Sequence, residues 1–174
     1  MVWASTPEFA AAATGLIEAA LRRPRDRTVL ARDVRAMRGL LEKERPAKDV
    51  WDMKLARGGL VDVEFAAQFL QLAHAAEGGP LHPHTARALA AFRAAGLGAV
   101  EPLDVLEDAW RLQQNLTQLI KVALEEGADP SLEPTAFRRL MARAAGESDF
   151  RKVRPRLEAA RKAARGAYEM LVRP

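Results

Sequence analysis

Two glycines stand immediately before a run that carries two carboxylates, and this is where residue types and spacing come closest to a chemical site. Gly58 and Gly59 are followed by Asp62 and Glu64. Paired glycines let a backbone turn tightly and approach a ligand, and free N–H groups at a helix start attract anions. The run has no Gly-x-Gly-x-x-Gly and no Gly-Lys-Ser/Thr pattern. It therefore favours an ordinary helix start with an acidic residue near the positive end of the dipole over a phosphate-binding loop.

The spacing of Asp62 and Glu64 suits metal-dependent nucleotidyl transfer only on a strand. Residues i and i+2 of a strand point the same way, whereas on a helix they diverge by about 200°. The apolar residues that follow repeat with helical spacing. We therefore predict that this pair builds no metal site unless the first turn is unwound.

No other catalytic set stands out. The chain has no Cys and only three His, which removes thiolate metal sites and cysteine nucleophiles. Ser and Thr occur mainly where they would cap helices, so no Ser-His-Asp arrangement is visible. We predict no catalytic residue and no metal ligand in this chain.

A polar stripe runs along the same predicted helix. Glu64, Gln68 and Gln71 fall at i, i+4 and i+7, on a helix otherwise apolar nearly all round. Such a stripe either faces solvent at the edge of a bundle or meets a partner surface, and the sequence leaves both open.

Four cations are expected to gather at the start of this helix. Arg35 and Arg38 share one face of the preceding helix, and Lys54 and Arg57 lead into the glycine turn. Either Asp62 and Glu64 neutralise them in an internal network, or the network also faces a cleft on a neighbouring domain. The predicted interface or cleft residues are Arg35, Arg38, Lys54, Gly58, Gly59, Asp62, Glu64, Gln68 and Gln71.

The elements that must position these residues are helices. About 35 Ala and 22 Leu stand against 13 Val and Ile in 174 residues, and Ala and Leu lose little in a helix while β-branched residues favour strands. We predict an all-α bundle of about seven helices in a single domain spanning residues 1–174. A central helix near residues 60–77 should be buried.

The first predicted helix begins near Ser5, which would form a capping box with Glu8. Phe9, Ala13, Leu16 and Ala20 are expected to be its buried side. The second helix, capped by Asp26 or Thr28, is expected to turn Leu30, Val34, Met37 and Leu41 inward.

The net charge of +4 is concentrated at one end of the sequence. From Ser148 onward there are eight basic residues against three acidic ones, on a predicted helix with an apolar seam. A solvated outer face is the simplest interpretation, and a surface for phosphate or an acidic partner is the alternative. On the longest predicted helix, Gln113, Gln114, Asn115 and Gln118 are expected to lie on the bundle surface.

No part of the sequence indicates a membrane segment or a signal peptide. No apolar run approaches the roughly 20 residues that a bilayer span needs. We expect a cytoplasmic protein with no membrane partner.

Three short runs together carry a resemblance to a known family. They are Asp33-Val34-Arg35-Ala36-Met37-Arg38, then Asp52-Met53-Lys54, and then the run from Gly58 to Leu72 that contains Asp62-Val63-Glu64-Phe65 and Gln68. They resemble the helical domain of glutamine synthetase adenylyltransferase. The related PII uridylyltransferases share this domain, but the Asp-Val-Glu-Phe form is more similar to the adenylyltransferases.

The resemblance implies a bifunctional enzyme with two nucleotidyltransferase domains, each followed by a helical domain. One half transfers AMP from ATP to a tyrosine of glutamine synthetase, and the other removes it by phosphorolysis, under control of glutamine and the PII signal protein. ATP and Mg are implied for the full-length enzyme, with none bound by this chain alone. The catalytic Gly-Ser and Asp-x-Asp motifs are missing here.

We therefore expect a domain excised from the carboxy-terminal, adenylylating half, inactive alone and packed on its nucleotidyltransferase domain. The alternative is a free-standing binding module that uses the basic last helix for nucleic acid or an acidic protein, with nucleic acid the less favoured partner.

Overall fold

The fold is an assembly of helices, seen in a computed structural model that describes residues 6–125 and 127–173. No strand occurs within those ranges. This confirms the predicted all-α class and the predicted number of helices. The seven helices are α1 (Pro7–Leu21), α2 (Arg27–Glu44), α3 (Leu60–His74), α4 (Thr85–Ala94), α5 (Val100–Ala123), α6 (Thr135–Ala144) and α7 (Val153–Leu171), with 3-10 turns at Ala75–Glu77 and Phe150–Lys152.

Helix α3 is the central helix, as predicted. It packs against α2, α4, α5 and α7, and Val63, Ala66 and Phe69 are fully buried. The 3-10 turn Ala75–Glu77 extends it, and Gly78 ends the turn in the left-handed conformation with φ of 82°. A glycine adopts this conformation without the steric cost that a Cβ imposes.

Two apolar clusters lie on either side of α3. One joins α2, α3, α4, α5 and α7 around Phe69, Phe92 and Tyr168. The other joins the start of α3 to α5, α6 and α7 around Leu116 and Met141. Among the described helices, α5 and α7 make the most extensive contact with each other. Helix α7 contributes buried residues to both clusters.

The start of α2 agrees with its predicted cap. Leu30, Val34 and Leu41 are partly buried as predicted, whereas the fourth predicted inward residue is not. Asp26 accepts a hydrogen bond from the N–H of Val29 at 3.0 Å, which satisfies a donor that the helix itself leaves free. Met37 was expected inside but is 53% exposed. The neighbouring Arg38 is buried in its place, because α3 supplies it with a carboxylate partner.

Helix α1 overturns a second expectation. Its cap is Thr6, whose hydroxyl accepts a hydrogen bond from the N–H of Phe9, and the capping role predicted for Ser5 lies outside the described residues. The predicted buried side is wrong, since Phe9 and Leu16 are 63% and 74% exposed. The spacing correctly marks an apolar face, but no other described element covers it.

None of the described helices is long and apolar enough to cross a membrane.

Candidate functional site

The loop before α3 closes onto the start of that helix. The carbonyls of Met53 and Lys54 accept hydrogen bonds from the N–H groups of Leu60 and Val61 at 2.8 and 3.2 Å. The first N–H groups of α3 are therefore occupied by protein carbonyls. This geometry agrees with an ordinary helix start and leaves these groups unable to bind a phosphate.

Gly58 and Gly59 are needed for close packing. Gly58 has φ of 71°, and a Cβ added there would lie 1.8 Å from the carbonyl oxygen of Arg161 on α7. A Cβ at Gly59 would lie 2.6 Å from the carbonyl oxygen of Ala56. Any side chain at either position would collide with backbone, so the pair lets the loop lie directly against α7.

Asp62 lies at the centre of a buried ion-pair cluster. Its side chain is fully buried and accepts hydrogen bonds from the Nε of Arg38 on α2 and from the backbone N–H of Gly58 at 2.5 Å. Arg165 on α7 lies 3.3 Å from the Asp62 oxygen that accepts from Gly58. Glu42 joins from α2, 3.4 Å from Arg38 and 2.9 Å from Arg165. We call these four side chains the Asp62 cluster: Asp62, Arg38, Arg165 and Glu42.

The Asp62 cluster ties three helices and the glycine turn together. Arg38 also donates to the carbonyls of Leu55 and Ala56 at 3.1 and 3.3 Å, so its guanidinium is satisfied without water. Burial alone would lower the pKa of Arg165, but its bonds with Glu169 and Asp62 outweigh burial and raise that pKa. Two cations against two carboxylates leave the cluster neutral, which is what a buried set of charges requires.

The predicted gathering of four cations is only partly correct. Arg38 reaches Asp62 as expected, and Arg57 lies at the exposed rim, 3.6 Å from Glu169 and 4.0 Å from Glu42. Arg35 instead points to the end of α7, where it donates to the carbonyls of Val172 and Glu169 at 2.6 and 3.1 Å. The position of Arg35 is set by the free carbonyls at that helix end, which attract a cation.

Asp62 and Glu64 do not share a site. Glu64 takes no part in the Asp62 cluster and is half-buried on a different side of α3, as a helix requires for residues two apart. Burial raises the pKa of its carboxyl, and the nearby, exposed Lys54 acts in the opposite direction. Among the described residues, no group of three or more His, Asp or Glu side chains is placed to hold a metal ion.

The polar stripe of α3 is divided between solvent and a groove. Gln71 accepts a hydrogen bond from the N–H of His82 at 2.6 Å, and Gln68 is exposed. Both line a groove of about 760 Å³ that separates α3 from α1. Ile17 of α1 forms part of the opposite wall.

A second group of buried polar side chains, which the sequence did not predict, bonds to carbonyls of the loop before α3. Arg161 on α7 donates to the carbonyls of Val50 and Asp52 at 2.8 and 2.9 Å. Gln113 on α5 donates to the carbonyl of Gly58 at 3.0 Å. Burial lowers the pKa of Arg161, while Asp52, Asp49 and Glu158 oppose that effect.

The placement of Gln113 corrects the expectation that the glutamine cluster of α5 lies on the surface. Gln113 is fully buried, because the loop before α3 exposes carbonyls that need donors. One signal existed in the sequence, since Gln113 also falls on the apolar seam of α5 between Leu106 and Leu116.

Several basic side chains of the last segment have partners within the fold and do not form one continuous basic surface. Arg161 and Arg165 are used internally, and Arg154 pairs with Glu158 at 2.8 Å. Three others, Arg151, Lys152 and Arg156, lie near the arginines of α6. A groove of about 490 Å³ there also contains Glu147 and Asp149. This basic corner consists of Arg138, Arg139, Arg143, Arg151, Lys152 and Arg156.

Comparison with known proteins places these features in a family. The family model described as GlnD PII-uridylyltransferase matches residues 32–172. The chain is 58% identical over 173 residues to a bifunctional glutamine synthetase adenylyltransferase/adenylyl-removing enzyme of Caulobacter vibrioides, covering 99% of this chain and 18% of the relative. Proteins of the same description from Rhodopseudomonas palustris and Xanthobacter autotrophicus are 38% and 44% identical over 172 and 156 residues, covering 98% and 86% of this chain and 17% and 15% of the relatives.

These matches confirm the resemblance drawn from the three sequence runs. The chain spans less than a fifth of the length of these relatives. The Gly58-Gly59 turn and Asp62 lie inside the matched family region. Gly58, Gly59, Arg38 and Asp62, which are buried in the structure, thus also lie in the sequence runs that carry the resemblance.

Proposed function

The chain belongs to the domain family described as GlnD PII-uridylyltransferase. From this membership we propose that it is the carboxy-terminal helical domain of a larger enzyme, a bifunctional glutamine synthetase adenylyltransferase/adenylyl-removing enzyme. In this proposal the domain packs on a nucleotidyltransferase domain of the same polypeptide. That domain transfers AMP from ATP to a tyrosine of glutamine synthetase. The 58% identity over 99% of the chain is the observation that supports the relation to this enzyme; the carboxy-terminal position is part of the proposal.

The geometry supports a role without catalysis in this chain. The carboxylate best placed in sequence for chemistry, Asp62, is neutralised inside the Asp62 cluster, and the N–H groups at the start of α3 are bonded to loop carbonyls. These residues do not fit a site for ATP or Mg. Both would bind in the neighbouring domain, and glutamine synthetase and the PII signal protein would be partners of the full-length enzyme.

The proposed contribution of this domain is a rigid support with an exposed rim. The Asp62 cluster fixes α2, α3 and α7 relative to one another. Arg57 is exposed at its edge, and Lys54 is exposed in the same loop before α3. Nucleotidyl transfer depends on positioning and on stabilising charge. A rigid rim of cations next to the catalytic cleft would serve both needs.

The experiment compares the isolated 174-residue chain with the full-length polypeptide that contains it. Radiolabelled AMP incorporation into glutamine synthetase is measured with ATP and Mg. We expect incorporation by the full-length protein and none by the chain alone. Incorporation by the chain alone would contradict the non-catalytic role, and failure of the folded full-length protein to modify glutamine synthetase would contradict the proposed activity.

A second candidate function rests on the basic corner of α6 and α7. Six cations surround Glu147 and Asp149 there, so the corner attracts anions. An acidic protein segment fits it better than nucleic acid, because the nearby Phe150 stacks on Trp51 and is not free to stack on a base. Binding of an acidic peptide and of a duplex oligonucleotide across a salt series would separate these partners.

A further inference from the structure

Helix α1 carries an apolar stripe that the rest of the described bundle does not cover. The stripe consists of Phe9, Ala13, Leu16 and Ala20, and we call it the α1 stripe. Phe9 and Leu16 are 63% and 74% exposed, Ala20 is exposed and Ala13 is half-buried. No residue of α1 is buried.

The α1 stripe points away from the bundle. Ile17 and Leu21 line the groove shared with α3. Thr14 and Glu18 line it too, and they mark the side of α1 that faces the other helices. At about 100° per residue these two lie roughly 140° or more around the helix from Phe9. The larger apolar face of α1 is therefore presented outward, where an isolated bundle would place polar residues.

Helix α1 is nevertheless well terminated and firmly attached at one end. Thr6 caps its start, and Arg25 donates to the carbonyl of Leu21 at 2.6 Å. Arg22 donates to the carbonyls of Ala75 and Gly79 at 3.1 and 3.3 Å. The helix is held by polar contacts at its carboxyl end, while the α1 stripe is left available for a partner outside the described bundle.

The comparisons show that α1 is shared with a much longer relative but lies outside the matched family region. The family model begins at residue 32, so α1 lies outside the shared domain. The alignment with the Caulobacter relative covers 173 residues of this chain, and hence α1, but only 18% of the relative. Helix α1 is thus a segment that the adenylyltransferase relative shares and that the domain model does not include.

We propose that the α1 stripe is the docking surface for the nucleotidyltransferase domain of the same polypeptide; this inference rests on the proposed function. Large apolar side chains exposed on one face mark an interaction site. Four residues on a helix of 15 residues fall well short of the roughly 800 Å² per partner that a stable dimer buries. A domain tethered in the same chain needs less area, because its effective concentration is high.

The test uses photo-crosslinking in the full-length polypeptide. Benzoylphenylalanine replaces Leu16 in one variant and Val122 in a control variant, since Val122 is 85% exposed at the end of α5. After irradiation, mass spectrometry maps the cross-linked peptides. We expect at least fivefold more cross-linking from position 16, at peptides of the domain that carries the Gly-Ser and Asp-x-Asp motifs.

Three results would overturn this inference: equal yields from positions 16 and 122, a product of twice the monomer mass, or cross-links confined to another domain. Each leaves the AMP-transfer test of the proposed function untouched. Cross-linking as expected in a protein that fails to modify glutamine synthetase would instead retain the docking surface and contradict the proposed function.

A second measurement checks the docking without a cross-linker. Hydrogen exchange of the peptide covering α1 is compared in full-length Leu16→Glu, Val122→Glu and unaltered protein. We expect exchange in α1 to become at least tenfold faster only in Leu16→Glu, with α3 unchanged as evidence of an intact fold. Unchanged exchange in α1 of Leu16→Glu would overturn the inference.

Discussion

Arg38 and Asp62 form an ion pair that is sealed from solvent between α2 and α3. Arg38 is 1% exposed and Asp62 is fully buried. Each has further partners, since Arg38 also donates to two loop carbonyls and Asp62 accepts from the N–H of Gly58. The pair therefore joins two helices and the turn between them into one polar unit within an otherwise apolar region.

We expect Asp62→Asn to destabilise the protein strongly. The substitution leaves Arg38 and Arg165 with Glu42 as the one remaining carboxylate of the cluster, and breaking a buried pair in this way costs about 3–5 kcal/mol. Urea denaturation followed by circular dichroism measures the loss in the free energy of unfolding. The matched control is Asp33→Asn, since Asp33 forms an exposed pair with Arg32 and should change stability by about 0.5 kcal/mol or less. A loss below about 1 kcal/mol for Asp62→Asn would show that the Asp62 cluster contributes little to the stability of the fold.

Gly58→Ala is expected to be more damaging than an ordinary glycine substitution. Its Cβ would lie 1.8 Å from a backbone oxygen of α7, at a φ of 71°. We expect a loss of more than about 2 kcal/mol in the free energy of unfolding. Gly39→Ala is the matched control, because Gly39 lies within α2 with open space around it and should gain about 0.5–1 kcal/mol. Equal effects of the two substitutions would contradict the close approach of the turn to α7.

The sequence predicted the local features around Asp62 but not its distant partners. Glycine pairing, an acid at a helix start and apolar periodicity are all readable within about ten residues, and they located α3 and its turn. Arg165 lies 103 residues from Asp62, and Arg161 lies 109 residues from the loop carbonyl of Asp52 that it binds. A single sequence shows that α7 has many arginines, but which of them face inward depends on how α7 packs against the loop.

The α1 stripe shows a different limit of sequence reasoning. Helical periodicity identified Phe9 and Leu16 as members of one apolar face, and the structure agrees that they share a side of α1. Periodicity carries no information on what covers that face. The expectation of burial failed because it assumed that the partner lies within the same 174 residues.

The carboxyl of Asp149 should titrate near pH 2. Its pKa is lowered to about 2 because the side chain and then the backbone N–H of Arg151 donate to it. A pKa depressed on folding means that the stabilising contribution is present above the ordinary value of 3.8 and is lost as the pH falls through about 2. We expect Arg151→Ala to raise the pKa part of the way back, because the backbone donor remains. Carboxyl carbon NMR measures this, with Asp129 as an internal reference whose pKa should not move.

The two exposed cations in the loop before α3 allow a test of whether this domain supports catalysis by its neighbour. Lys54 and Arg57 are exposed, and their loss leaves the Asp62–Arg38 pair intact. In the full-length enzyme we expect the double substitution Lys54→Ala, Arg57→Ala to reduce AMP transfer at least tenfold, which corresponds to about 1.4 kcal/mol in the barrier. The melting temperature should stay within about 2 °C of that of the unaltered protein, because exposed ion pairs contribute little to stability.

The control for the rim is the double substitution Arg87→Ala, Arg111→Ala, which removes the same charge from exposed positions on α4 and α5. It should leave both AMP transfer and melting unchanged. Because a rim that faces the cleft acts by position and not by net charge, the two double variants must differ in rate at equal ionic strength. Equal rates, with both variants folded, would mean that Lys54 and Arg57 are ordinary surface residues and do not face the catalytic cleft.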